Sequence, residues 1–285
     1  SALSKLVTRL DDRLGARLLQ RTTRRLQLTA EGEVFFARAR TILAAMAAWE
    51  LLAPGRALGE RRTLRWTNNL ALVALDTIIL RAALPVAAIG AAAYATQHGM
   101  GLLNILQAPF AWAFALSLLA LDLAIWLQHL VFHAVPLLWR LHRVHHADLD
   151  VDVTTGARFH PIEILLSMLV KIGVVLALGP PATAVLAFEI GLNATSMFNH
   201  GNVRMPEAVD RVLRWIVVTP DMHRVHHSIE PHETNSNFGF NLPWWDRLFG
   251  TYRERPAAGH DAMTIGIGQF RASRELRLDR MLLQP

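Results

Sequence analysis

Residues 108–146, APFAWAFALSLLALDLAIWLQHLVFHAVPLLWRLHRVHH, decide how the chain is read. Residues 108–135 are apolar except for Asp122, Gln128 and the two histidines His129 and His133. A helix of that length reaches across the hydrocarbon core of a bilayer, which takes about 20 apolar residues. Its last turns change character: His129 and His133 stand four apart, and His142, His145 and His146 follow as HRVHH. Spacings of three and four place side chains on one helical face. A membrane-length helix therefore runs into a patch of converging imidazoles.

Working outward, residues 69–95 form another nearly apolar run, interrupted by Asp76, Arg81 and Pro85. Residues 162–178 and 182–199 are shorter runs separated by Gly179-Pro180-Pro181. The expected fold is all-α and integral to the membrane, with about four transmembrane helices in two hairpins. A re-entrant hairpin over the two short runs is the competing arrangement. With four spans, residues 46–68, 136–161 and 200–285 lie on one side and hold four, three and eleven Lys or Arg. The opposite loops, near 97–107 and at the Gly-Pro-Pro turn, hold none. By the positive-inside rule the charged side, with its histidine-rich cap, is expected to face the cytoplasm. A soluble bundle would not be expected to segregate its loop charges so completely.

The chain is 52% hydrophobic, 18% charged and free of cysteine. Disulfides, cysteine-ligated zinc and cysteine-ligated iron–sulfur clusters are thereby excluded. The formal charge of +6 belongs almost wholly to residues 1–45, which carry nine Lys or Arg against four acidic residues. That asymmetry divides the chain into 1–45, a linker or amphipathic lead-in over 46–65, and a membrane domain over 66–285. In the first piece, Ser4–Leu14 has helical spacing with Gly15 as a stop. Arg21–Arg25 reads as a basic turn, and Thr29 as a cap for a helix from about Ala30 to Trp49.

Ten of the thirteen histidines fall between His129 and His227. His223, His226 and His227 repeat HRVHH letter for letter, while His160 and His200 stand singly. Imidazole suits iron, zinc, copper and nickel. So many convergent nitrogens exceed the four ligands of one tetrahedral zinc and fit two metals with open positions. Asp122 shares a helical face with His129 and His133. It is expected either to orient one of those rings through a hydrogen bond or to bond across helices. Lys171 and Glu189 are expected to snorkel or to pair with a neighbour. Asp148 and Glu230, just after the two HRVHH motifs, read as solvated loop charges. Asp246 and Arg247 read as a structural pair, and Trp244, Trp245, Phe249 and Tyr252 as interfacial aromatics or the rim of a substrate entrance.

The elements HLVFH at 129–133, HRVHH at 142–146, RFHP at 158–161, FNHGNV at 198–203, HRVHH at 223–227 and NFGFNLPWWDRLFGTY at 237–252 resemble the sterol desaturase and fatty acid hydroxylase superfamily over about residues 47–280. The resemblance implies a membrane-bound di-iron oxidase that hydroxylates or desaturates a lipid-like substrate with O2. It implies two iron ions held by His129, His133, His142, His145, His146, His223, His226 and His227, with His200 and His160 as further ligands. Some relatives carry another histidine where this chain has Ser196, which leaves the ligand set at that corner open. Electrons are expected from a separate ferredoxin or cytochrome b5-type donor, in a bacterial cell membrane. A membrane zinc hydrolase is the competing enzyme.

The stretch SALSKLVTRLDDRLGARLLQRTTRRLQLTAEGEVFFARAR resembles part of the DNA-binding domain of LysR-type regulators. Ser1–Arg9 matches the recognition helix, Arg21–Thr29 the wing, and Glu31 onward the linker helix. The helices that support a recognition helix in a major groove do not precede it. The segment is therefore expected to be vestigial and nucleic-acid binding is not expected; a DNA-binding membrane regulator is the alternative.

Overall fold

The computed structural model describes residues 19–22, 25–28, 30–84 and 87–285, with side chains from Arg40 onward. The chain divides into two compact units, 1–44 and 45–285. In the first, β1 (Leu19–Thr22) pairs antiparallel with β2 (Arg25–Leu28), Leu19 opposite Leu28. The all-α expectation fails over this short ribbon: Arg25 and Gln27 alternate with Leu26 and Leu28, the period of a strand, where a plain basic turn was expected. The ribbon occupies the stretch that resembles a wing. The recognition helix at Ser1–Arg9, the helix over Ser4–Leu14, the stop at Gly15 and the cap at Thr29 lie outside the described residues. Helix α1 follows at Ala30–Leu52.

The second unit is helical. Its principal elements are α2 (Arg62–Ala83), α3 (Ala88–Gln97), α4 (Phe110–Ala134), α5 (Pro136–His146), α6 (Pro161–Leu178), α7 (Ala182–Asn199), α8 (Glu207–Leu213) and α9 (Pro220–His226). The expected span 69–95 is two helices. Leu84, which ends α2 with φ −128°, precedes Pro85, and a residue before proline is pushed out of the helical region. Among the described residues, three segments are long and apolar enough to cross a membrane: Arg62–Ile105, Phe110–Ala134 and Pro161–Leu178. Helix α7 has the length, but Glu189, Asn193 and Asn199 keep it out of that set.

The bundle wears its apolar residues outside. Ile78, Trp112, Leu127 and Leu169 are all more than half exposed. An apolar exterior of this extent suits lipid rather than water. Inside, Ala88, Ala91 and Ala92 of α3 let its backbone approach α6 and α7 closely, and Leu121, Ile125, Val175 and Phe188 fill the space between.

The two ends of the bundle differ. At one, Gly179 ends α6 in the left-handed conformation (φ 70°) against Gly101 (φ 88°). A Cβ on Gly101 would stand 2.3 Å from Gly179 N, so only glycine fits. The other end carries α5, α9 and the C-terminal segments. Residues 53–61 are fastened there rather than slack: Gly55 N donates to Asn202 O at 2.9 Å, Arg56 reaches the carbonyls of His260 and Met263, and Gly59 and Glu60 donate to Asp150. Buried Glu50 ties the same end together, accepting from Val153 N at 2.7 Å and Asn202 N at 2.9 Å.

Candidate metal centre

Helix α5 starts with Pro136 at its first position and buries Leu141 and Val144 together with its three histidines. Helix α9 is set by the same device, Pro220 at the first position and the Thr219 hydroxyl accepting from Met222 N. Each helix turns one HRVHH motif inward. His129 and His133 come from the end of α4, and His200 caps α7.

The imidazoles sort into two groups. His129, His133, His142, His146 and His226 form one; His145, His200, His223 and His227 form the other, ligand atoms within each lying no more than 4.8 Å apart. His160 joins neither: its Nδ1 accepts from Ile162 N at 3.2 Å and caps α6. At the corner that Ser196 occupies, His200 Nδ1 donates to Ser196 O at 2.8 Å.

The outer nitrogens are held by acceptors. His129 Nδ1 donates to Phe238 O at 2.7 Å, His226 Nδ1 to Ser236 O at 2.7 Å, and His145 Nδ1 to Arg158 O at 3.2 Å. His142 Nδ1 donates to the Glu163 carboxylate at 2.6 Å, and His133 Nδ1 faces Asn235 Oδ1 at 3.3 Å. A proton fixed on Nδ1 leaves the Nε2 lone pair pointing inward, the tautomer a metal takes. Burial pushes His142 and His200 down to about 3. Burial and neighbouring imidazoles hold His145, His146, His223, His226 and His227 well below the ordinary histidine value. These rings are therefore neutral at pH 7.

Several ring nitrogens of these histidines are left over. Among the described residues, Nε2 of His133, His146 and His226, Nδ1 of His223 and both nitrogens of His227 are buried without a hydrogen-bond partner. Each such group costs about 1–3 kcal/mol, which a bound cation would offset. The donor set fits metal ions that accept imidazole nitrogen.

Three partners were not legible beforehand. Glu163 is the acidic residue in the otherwise nearly apolar run 161–178, a signal visible in the sequence. Ser236 and Phe238 act through backbone carbonyls, which leave no side-chain signature. Asn237 sits between them at φ 52°, a conformation asparagine tolerates, and its side-chain amide donates to Met222 O and Arg253 O. Asp246 fixes the same loop by accepting from Phe238 N and Gly239 N, both at 2.8 Å, and from Trp126 Nε1.

Several expectations are corrected here. Of the two expectations for Asp122, the bond across helices is the one seen and the bond to a histidine is not: it accepts from Asn241 at 2.7 Å and from Trp245 Nε1, in the short helix Trp244–Leu248, at 2.8 Å, bracing the C-terminal cap against α4. Asp148 is not solvated. It is fully buried in an ion network with Arg65 (2.8 Å), Asp152 and Arg158, and despite its burial the two arginines hold it well below the usual carboxylate range. Asp246 does not pair with Arg247, whose guanidinium stacks 3.8 Å from the Trp215 and Tyr252 rings. Glu230 is exposed, as expected, and Lys171 pairs with Glu189 at 2.7 Å.

A cavity of about 340 Å³ opens beside this centre between α2, α4, α6 and α7, and reaches His129 and His142.

Residues 114–251 match the family model for fatty acid hydroxylases. The matched stretch contains every candidate histidine ligand. Residues 1–33 match the bacterial regulatory helix-turn-helix of the lysR family. Among curated relatives, the ornithine lipid hydroxylase OlsE of Rhizobium tropici is 32% identical over 150 residues, 53% of this chain and 44% of that protein. The alkylglycerol monooxygenase of Xenopus tropicalis is 30% identical over 146 residues, 50% of this chain and 30% of that protein. The transcriptional regulator CrgA of Neisseria meningitidis is 56% identical over 50 residues, 18% of this chain and 17% of its own length. The chain thus spans less than half the length of these relatives. No solved structure matches it.

Proposed function

We propose that the chain is a membrane-bound di-iron oxygenase that hydroxylates a lipid, with one iron in each histidine group. The observation that carries this reading is the convergence of nine imidazoles in two groups, several of their ring nitrogens buried without a partner, beside an apolar cavity. Five nitrogens in one group exceed the four of a tetrahedral zinc site. The Nε2 atoms of His129 and His142 are 3.0 Å apart, those of His145 and His200 3.1 Å, and those of His200 and His223 3.0 Å, close enough to converge on a shared ion.

Bound iron would supply O2 activation; the protein orients and excludes. One oxygen atom enters a C–H bond as hydroxyl, and two electrons and two protons take the other to water. The electrons come from a separate donor, of ferredoxin or cytochrome b5 type. Ile125, Phe132, Phe159 and Phe240 wall the cavity and keep water from the histidine edge. The carbonyls of Phe238 and Ser236 and the Glu163 carboxylate hold His129, His226 and His142 in place. Hydroxylation is preferred over desaturation because the relatives named above are a hydroxylase and a monooxygenase. We place the centre on the cytoplasmic face of a bacterial membrane, where the loop cations gather. Residues 1–45 hold none of the histidines and are read as a regulator-derived segment with no part in the oxidation.

The test is lipid mass spectrometry on cells expressing the full chain, beside a His145→Ala, His226→Ala control, together with metal analysis of the purified protein. A lipid heavier by one oxygen in the first sample only, with about two irons per chain, is expected. Zinc in place of iron, with activity that persists without oxygen, overturns the reading.

A further inference from the structure

We propose that the cavity beside the histidines receives a lipid whose polar part carries hydrogen-bond donors, and that Asp76 on α2 selects it. The cavity's free hydrogen-bonding capacity is one-sided. Asp76 Oδ1, Gln128 Oε1 and Glu163 Oε2 are buried without a partner among the described residues, and all three side chains line the cavity. Asp76 is 7% exposed and Glu163 4%. The other polar side chains of the lining each have at least one partner. Thr77 donates to Val73 O, Asn193 to Glu189 O, Ser196 to Gly156 O, and Lys171 is paired with Glu189 at 2.7 Å. The lining atoms left with no partner at all are acceptors.

Water is an expensive answer at this place. Asp76 lies eleven residues beyond Arg65 on α2, about 16 Å along the helix axis. Arg65 is bonded to Asp148 beside the histidines, so Asp76 sits within the apolar part of the bundle. A carboxyl group left unpartnered there costs more than a neutral group would. The cavity walls otherwise offer Val73, Leu80, Ile125, Met168 and Leu192, which suit an alkyl chain. A plain hydrocarbon would satisfy those walls and leave the acceptors unmet. A hydroxyl or amine on the lipid satisfies both. The lining holds the carboxyls of Asp76, Glu163 and Glu189 against the one ammonium of Lys171, so an amine is the better complement and a hydroxyl the next.

This deepens the lipid-hydroxylase reading but is tested without turnover. The full chain, iron-loaded in detergent, is titrated calorimetrically with decylamine, 1-decanol and methyl nonyl ether, which share length and differ in donors. The amine and the alcohol are expected to bind at least about tenfold tighter than the ether, a gap of about 1.4 kcal/mol. Asp76→Asn, which removes charge and keeps an acceptor, is expected to lose the preference for the amine and keep that for the alcohol. Asp76→Leu is expected to bring all three within about threefold, with iron content unchanged. An ether that binds as tightly as the alcohol, or an undiminished gap in Asp76→Leu, overturns the proposal. Donor selectivity in a protein that oxidises no lipid would leave this assignment standing and sink the oxygenase reading alone; lipid oxidation without donor selectivity would do the reverse.

Discussion

The two HRVHH motifs are identical in sequence and opposite in what they deliver. The first sends His142 and His146 to the five-histidine group and His145 to the four-histidine group; the second sends His226 to the former and His223 and His227 to the latter. The flanks differ as well. Arg143 is partly exposed and bonds the C-terminal Gln284 carbonyl, whereas Arg224 is 3% exposed and pairs with Asp221 at 2.5 Å. Asp148 after the first motif is buried in an ion network, while Glu230 after the second is exposed. A motif therefore fixes which atoms are offered, and the surrounding helices fix which histidine group each of them joins.

The largest effect expected from this asymmetry is in ligand removal. His223→Ala takes one ligand from the group of four, and His133→Ala one from the group of five, where His133 is also the partly exposed member. Metal analysis should find about one iron per chain in the first variant, with hydroxylation lost, and close to two in the second; equal losses would dissolve the distinction between the groups. Next comes the flank. Arg65→Met takes from buried Asp148 its nearer arginine and leaves Arg158 at 3.7 Å, and should cost about 3–5 kcal/mol in unfolding measurements, whereas Glu230→Gln should change stability by less than about 0.5 kcal/mol.

A smaller effect is expected at the outer partners. Glu163→Gln removes the carboxyl acceptor of His142 and should weaken metal binding about 10–100-fold, measured by competition with a chelator. Asp122→Asn should leave that affinity unchanged, because Asp122 contacts Asn241 and Trp245 instead. A loss of affinity in Asp122→Asn would restore the reading that the structure set aside. The smallest contrast lies in the paired arginines. Arg224→Ala should lower stability by about 1–3 kcal/mol and Arg143→Ala by less than about 1 kcal/mol, as seen in thermal unfolding; reversal of that order would mean that burial does not rank these contacts.

Much of the candidate site is legible from the chain alone. Hydropathy and helical spacing act over a few residues, so the runs 108–135, 162–178 and 182–199 became α4, α6 and α7 with little change at their ends. The HRVHH repeats announced imidazoles on helical faces. What was illegible depends on segments far apart in sequence. Phe238 O reaches His129 across 109 positions, and Asp122 reaches Trp245 across 123. No local pattern shows that Asp122 turns toward the cap while Glu163 turns toward His142, since both are single acids in apolar helices. Pro85 announced the break between α2 and α3 within 69–95, a run that still belongs to one segment long and apolar enough to cross a membrane.

The sequence by itself determined the donors, the helices that carry them and the absence of thiolate chemistry, because residue type and short-range periodicity are properties of the chain. The tertiary structure alone decided how nine imidazoles divide into five and four, which outer nitrogens meet a carbonyl and which a carboxylate, and which buried acids are left facing a cavity. Those outcomes follow from how helices distant in sequence are packed, and packing is settled by the whole bundle at once.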